Sequence, residues 1–228
     1  MNIYFLLEGR STEKKVYGAW LKYLLPEFQR VKSYNDAQDH NYFLISAHGY
    51  PSIIHEYIPD AINRIKETGQ YQYLVVCLDA DEDTVESKKQ EIFNFIEESQ
   101  IELDPIKLIP IIQNRCIETW FLGNCKMFDS RQKNINIPLS EYVSYYDVSI
   151  QEPELMGHYN EDYNHAEFHA AYLKEIFKAK NSSYSKKYPR DAQREYYLRE
   201  LITRIEKQSH LKSLKEFIVF CEFIRSQL

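Results

Sequence analysis

Tyr73-Leu74-Val75-Val76-Cys77-Leu78 is apolar at six consecutive positions and stops abruptly at Asp79-Ala80-Asp81-Glu82-Asp83. A run with no polar face has nowhere to meet water, so it belongs inside a parallel sheet covered by helices on both sides. Three other segments share this character. Residues 3–7 end at Glu8-Gly9, residues 42–45 are followed by His48-Gly49, and residues 106–112 contain Pro110, which predicts a strand end or a sheet edge. Helical patterns lie between them. Ser11 is an N-cap type residue ahead of a predicted helix over 12–25, with Val16, Ala19, Trp20, Tyr23 and Leu24 at helical spacing and Pro26 after it. A second helix is predicted over 52–68, disturbed by Pro59, and a third over 84–98. Four strand and helix repeats predict an α/β fold, a doubly wound parallel sheet over residues 1–125.

Residues 126–228 change character. Helices are predicted over 166–178, 191–208 and 211–227, giving a mostly helical extension packed on the core. The overall formal charge of -6 hides an asymmetry, with net -7 in residues 1–125 and net +1 in 126–228. Residues 174–215 carry 12 basic and 5 acidic side chains, including Lys186, Lys187, Arg190 and Arg194. Such a stretch can hold a polyanion, or it can be a solvated helix face. Tyr184, Tyr188, Tyr196 and Tyr197 lie beside those charges and would suit stacking on unpaired bases; packing is the alternative.

Several classes are excluded or disfavoured. Four cysteines lie far apart without a Cys-x-x-Cys pair, so they read as buried free thiols. No apolar run approaches the roughly 20 residues of a membrane span, and residues 1–3 enter a strand without a basic leader, which predicts a cytoplasmic chain without membrane contact. Only six glycines occur and no G-x-x-x-x-G-K is present, so a Walker A loop is absent.

Ligands of open parallel sheets bind at the carboxyl ends of the strands. Glu8 closes the first strand and Asp79 and Asp81 close the third, so carboxylates distant in sequence converge on one edge. Alternation along a strand sends Asp79 and Asp81 to the same side, with Ala80 opposite. Crowded carboxylates repel unless a cation neutralises them, and hard oxygen donors suit Mg²⁺ or Mn²⁺ with substrate phosphate. By itself the D-x-D also reads as helix-dipole acids before 84–98; Glu8 and Glu13 on a separate strand end shift the reading toward a metal site.

Leu7-Glu8-Gly9-Arg10-Ser11-Thr12-Glu13 and Leu78-Asp79-Ala80-Asp81 resemble the acidic motifs of a TOPRIM domain, of the type found in OLD-family nucleases and small anti-phage effectors. Asn114-Arg115-Cys116-Ile117-Glu118-Thr119-Trp120-Phe121-Leu122 is similar to a stretch in RloB-like proteins and in the TOPRIM effector of PARIS defence systems. Ser183-Tyr184-Ser185-Lys186-Lys187 is similar to a Y-x-K segment that those proteins carry. The resemblance implies a Mg²⁺-dependent endonuclease, cutting RNA or DNA as an anti-phage effector under the control of a partner ATPase of ABC or AAA type. A homodimer is compatible with it. Glu8, Asp79 and Asp81 are the implied acidic site, and Glu13 is the implied holder of a second ion.

Phosphoryl transfer needs the phosphate charge neutralised and the nucleophile positioned. Asp79 and Asp81 would hold the metal, and Glu8 would ligate it or take a proton from the attacking water. Glu118 would orient a lysine or a water, or else cap a helix with Trp120 in the core. Lys187 or Arg190 would neutralise the phosphate, or else stand on the surface. Two other readings remain: a non-catalytic TOPRIM-like subunit that docks on a partner or senses nucleic acid, and a receiver-like domain with Asp79 as phosphoacceptor. His165 and His169 share a helical face at i and i+4, with His158 nearby. Their H-x-E-x-H order lacks the zincin arrangement, and partly exposed imidazoles at a polar helix start are the bland alternative.

Overall fold

A computed structural model describes residues 1–128 and 135–228, so part of the predicted 126–228 extension lies outside the described residues. Five strands form one all-parallel sheet: β1 (Asn2–Leu7), β2 (Gln29–Arg30), β3 (Asn41–Ser46), β4 (Tyr73–Asp79) and β5 (Lys107–Gln113), in the order β2-β3-β1-β4-β5. Among the described residues there are eight α-helices: α1 (Thr12–Leu24), α2 (Ile58–Thr68), α3 (Val85–Glu98), α4 (Ile117–Phe121), α5 (Ile137–Tyr145), α6 (His165–Ala179), α7 (Glu195–Gln208) and α8 (Lys212–Ser226). None is long and apolar enough to cross a membrane.

Strand alternation sorts the core into two layers. Ile3, Phe5, Leu7, Val75 and Cys77 pack with α1 and helices α4 to α8. Tyr4, Leu6, Leu74, Val76 and Leu78 face the opposite way, onto α2 and α3. Both faces of β1 and β4 are therefore buried, which is why their sequences are continuously apolar. The helical region ties into the first layer through polar contacts as well. Trp20 Nε1 donates to the Ala192 carbonyl at 2.8 Å, and the Tyr197 hydroxyl donates to the Phe121 carbonyl at 2.8 Å.

Several local expectations are corrected. The buried face of α1 is Val16, Tyr17, Trp20 and Leu21, while Tyr23 is exposed, so the apolar stripe is rotated from the predicted one. The Ser11 side chain makes no capping bond. The expected disturbance at Pro59 is present: the helical run over 53–68 is split there, a π segment over Ile53–Tyr57 passing directly into α2, with Pro59 in the first turn of α2. Gly69 ends α2 in the left-handed region at φ 65°. Pro110 lies on β5, an edge strand, as expected. The predicted helix over 191–208 starts later, at Glu195, after a 3₁₀ turn at Arg190–Gln193. The two-residue β2 and the short helices α4 and α5 carry too little periodicity to stand out in sequence.

Candidate active site

From β1 the chain moves outward to β2 and returns by β3, whereas β4 and β5 lie on the other side of β1. The direction of winding reverses between β1 and β4, and a doubly wound sheet opens a crevice at such a point. Leu7 pairs with Cys77, and the Glu8 amide donates to the Cys77 carbonyl at 3.0 Å. Glu8 is thus delivered to the end of β4. Its Oε2 accepts from the Asp79 amide at 3.0 Å and its Oε1 from the Tyr50 amide at 3.2 Å. The expected meeting of the two strand ends is realised. An open cleft of about 400 Å³ is lined there by Glu8, Glu13, Asp79, His48 and Lys186, among others.

Glu13 enters the cleft from the first turn of α1 and is 6% exposed. Its carboxylate lies over Gly9 so closely that a Cβ there would stand 1.3 Å from Glu13 Oε2. Only glycine leaves room for that carboxylate. Burial and the neighbouring Glu8 lift Glu13 to about 8, against the Gly9 amide and Lys186. Burial, followed by Glu13 and Glu8, raises Asp79 well above the ordinary carboxylate range. Burial likewise raises Glu8. Glu13 Oε1 and Asp79 Oδ1 are buried and accept no hydrogen bond. Two orphaned oxygens within mutual repulsion are a costly arrangement for the apo fold.

Asp81 departs from the expected alternation. Its amide still donates to the Arg115 carbonyl at 2.9 Å, but its backbone has turned into the left-handed region at φ 49°. Its side chain is exposed and does not line the cleft beside Asp79. Its charge nonetheless reaches Glu8, and Lys88 and Lys186 act on it in turn.

The turn over 184–188 closes the site from the helical region. Tyr184 is buried and donates its hydroxyl to Glu118 Oε1 at 2.6 Å. Glu118 is 1% exposed and faces Lys186, whose ammonium it holds protonated against burial. Glu118 Oε1 is taken up by the Tyr184 hydroxyl, its charge acts on Lys186, and Trp120 is fully buried beside it. Lys186, not Lys187, lines the cleft. Lys187 points outward over the Tyr188 ring, with Nζ 5.6 Å from the centroid, because the turn puts successive side chains on opposite sides. Arg190 and Arg194 are exposed and do not line the cleft. Tyr184 and Tyr197 are packing residues, whereas Tyr188 and Tyr196 are exposed.

Among the described residues, no group of three or more His, Cys, Asp or Glu side chains is arranged to hold a metal ion. The expected four-ligand set of Glu8, Glu13, Asp79 and Asp81 is therefore not assembled. Backbone amides fix both Glu8 oxygens in orientation, and Asp81, on its left-handed residue, does not line the cleft. The donors that remain still fit a hard cation. Mg²⁺ is usually held by one or two carboxylates with water and phosphate completing the shell, and Glu13 Oε1 and Asp79 Oδ1 are two unpaired carboxylate oxygens. The histidine pair is not such a site. His169 is fully buried, bonded through Nδ1 to Thr119 Oγ1 at 2.7 Å, and pushed down to about 3 by burial. His165 pairs with Glu82. Neither is the partly exposed imidazole that a polar helix start predicts.

Three features escape the sequence reading. Lys88 is buried on the α3 face that carries Ile92 and Ile96, with Nζ 3.5 Å from the Tyr50 ring centroid, 3.0 Å from Asp83 and 3.1 Å from Glu91. It braces the loop whose Tyr50 amide holds Glu8; a lysine at i, i+4 spacing with core isoleucines was the available signal. Thr12 donates to the Lys186 carbonyl at 2.8 Å, latching the turn to α1. Lys14, Arg30 and Lys32 line a groove of about 450 Å³ without any acid, far in sequence from residues 174–215. Compared with protein-family models, curated proteins and solved structures, the chain matches none of them.

Proposed function

We propose that the chain is a TOPRIM-like, Mg²⁺- or Mn²⁺-dependent endonuclease that hydrolyses phosphodiester bonds of nucleic acid. The observation that carries this reading is the pair of orphaned, buried carboxylate oxygens, Glu13 Oε1 and Asp79 Oδ1, in a cleft that also receives Lys186. A phosphoacceptor reading of Asp79 leaves Glu8 and Glu13 without a role.

Each side chain has a task in this chemistry. Glu13 and Asp79 would hold the cation, and the chemistry it would supply is polarisation of the phosphate and of a water. Glu8, fixed in orientation by two amides, accepts the proton released as the water oxygen bonds to phosphorus; the leaving oxygen is protonated from solvent. Lys186 sets an ammonium against the phosphate oxygens, and Glu118, itself held by Tyr184, keeps it aimed. Asp81 adds charge at the rim. Lys187, Arg190 and Arg194 remain surface contacts for the strand. The motif resemblance extends the reading to an anti-phage effector restrained by a partner ATPase.

The second reading, a non-catalytic nucleic-acid-sensing subunit, is favoured by the absence of an assembled metal group among the described residues. Incubation of end-labelled tRNA, single-stranded RNA and plasmid DNA with Mg²⁺ or Mn²⁺ separates the two. Cleavage by the natural chain that disappears in Asp79→Asn supports the nuclease. Cleavage retained in Asp79→Asn overturns the site, and absence of both cleavage and metal binding moves the assignment to the sensing subunit.

A further inference from the structure

The turn over 185–188 is built more firmly than an exposed loop requires. Ser185 and Tyr188 form an isolated antiparallel bridge, with the Tyr188 amide donating to the Ser185 carbonyl at 2.9 Å. The carbonyls of both tip residues are tied to α1, Lys186 to Thr12 Oγ1 and Lys187 to Lys15 Nζ. Tyr184 anchors the turn from below through Glu118. What this scaffold presents to solvent is the Tyr188 ring, 56% exposed, with Lys15 Nζ 5.1 Å and Lys187 Nζ 5.6 Å from its centroid. Tyr188 lies two residues from Lys186, at most about 7 Å along the chain, and its ring stands outside the lining of the cleft that Lys186 enters.

Two other exposed tyrosines show that this setting is particular. Tyr196 is equally exposed, but its hydroxyl lies beside Asp191, a neighbour that repels phosphate. Tyr50 has Lys88 over its ring at 3.5 Å and its hydroxyl bonded to Glu91 at 2.8 Å. Tyr188 is more exposed than Tyr50 and holds its two ammonium groups farther over the ring, at 5.1 and 5.6 Å, where long lysine stems can swing aside for a base. An aromatic face beside lysines is the combination that takes a nucleobase and its adjoining phosphates. A paired base inside a duplex has both faces covered by its neighbours, so such a face selects unpaired nucleotides.

We propose that Tyr188 is a stacking shelf for an unpaired nucleobase next to the phosphate in the acidic cleft, with Lys15 and Lys187 meeting the flanking phosphates, so that the substrate is single-stranded or locally unpaired nucleic acid. This inference rests on the nuclease reading for its neighbour, the cleft, but it is tested by binding alone.

The test is fluorescence anisotropy of labelled single-stranded RNA and DNA oligonucleotides, and of a hairpin duplex, in EDTA so that nothing is cut. The natural chain should bind the single strands more tightly than the duplex. Tyr188→Ala should weaken single-strand binding about tenfold or more, by the usual worth of one stacked base. Tyr188→Phe and Tyr196→Ala should bind like the natural chain, and duplex affinity should not move in any variant. Because Tyr188 is exposed, an unchanged melting temperature verifies that Tyr188→Ala is folded. Unchanged single-strand affinity in Tyr188→Ala, an equal loss on duplex, or no single-strand binding by the natural chain overturns the shelf. A protein that cuts nucleic acid equally well as Tyr188→Ala loses the shelf and keeps the nuclease; one that binds through Tyr188 and never cuts keeps the shelf and loses the nuclease.

Discussion

Two regions of this molecule bury glutamates, and they treat them in opposite ways. At the start of α8, Glu154 is 8% exposed and accepts from the Ser213 amide at 3.1 Å and the Ser213 hydroxyl at 2.6 Å. Glu152 accepts from the Leu211 amide at 2.8 Å. Leu211 occupies the cap position of α8 with φ 55° and has no side chain able to cap, so these two acids supply what the helix lacks. Every buried charge there meets donors or the positive end of a helix. In the cleft between β1 and β4, Glu13 and Asp79 keep unpaired oxygens and repel each other and Glu8. Burial raises Glu154 too, but there the Ser213 donors oppose it, whereas Glu13 Oε1 and Asp79 Oδ1 have no donor at all.

The largest expected effect is a double dissociation between the two regions. Glu8→Gln should lower cleavage about 100-fold or more, the scale of losing one group that acts on the reacting charge, and shift urea unfolding less than Glu154→Ala does, because glutamine keeps one acceptor for the Asp79 and Tyr50 amides and relieves the repulsion from Glu13. Glu154→Ala should do the reverse, destabilising the chain by about 1–3 kcal/mol because the Ser213 donors lose their buried acceptor, while cleavage per folded molecule stays constant. A loss of stability in Glu8→Gln as large as in Glu154→Ala would erase the distinction between structural and poised acids.

The pH dependence of the metal-free chain is the next test. Glu13 titrates at about 8 in the fold, above the ordinary 4.5 of an exposed glutamate. Between those values the folded state binds more protons than the unfolded state, so this contribution to stability is complete below about 4.5 and is lost as pH rises through about 8. The slope has a ceiling of about 1.4 kcal/mol per pH unit for one proton. Glu13→Gln should flatten it, as read from unfolding midpoints between pH 5 and about 8 in EDTA. An identical slope in Glu13→Gln would place the repulsion elsewhere.

Only the cleft half of this contrast is legible in the sequence, and the reasons are local; Glu152 and Glu154 carry no motif, and their partners lie 59 residues away. Continuous apolar runs betray strands buried on both faces, and a strand that ends in acid announces its own carboxyl edge; Glu8, Asp79 and the parallel sheet followed from that. Glu118 and Lys186 are named by the motif resemblance, but the entry of Lys186 into the cleft depends on a turn at 184–188 packed against α1, a relation across more than 170 residues that no periodicity encodes. Asp81 and Lys187 went astray for a common reason. Strand alternation places Asp81 beside Asp79, and the Y-x-K segment leaves Lys186 and Lys187 undistinguished; a left-handed backbone in one case and a tight turn in the other decide the side chain's direction. Lys88 was passed over because charge was read along the chain instead of around the helix.

The smallest predicted effect is the most direct probe of what the orphaned oxygens await. A ligand that binds only the folded state stabilises it by RT ln(1 + [L]/Kd), about 1.4 kcal/mol at ten times Kd, or roughly 3–5 °C for a chain of this size. Mg²⁺ should therefore raise the melting temperature of the natural chain and of Glu154→Ala alike, and leave Asp79→Asn unmoved. The Glu154→Ala arm is the control: its fold is weakened at a site whose acids already have partners, so a normal shift there together with none in Asp79→Asn assigns the ion to the cleft between β1 and β4. A shift that survives in Asp79→Asn would mean that the ion binds elsewhere. No shift in any variant would mean that protonation alone settles Glu13 and Asp79, and the two regions would then differ in how they neutralise buried acid, not in purpose.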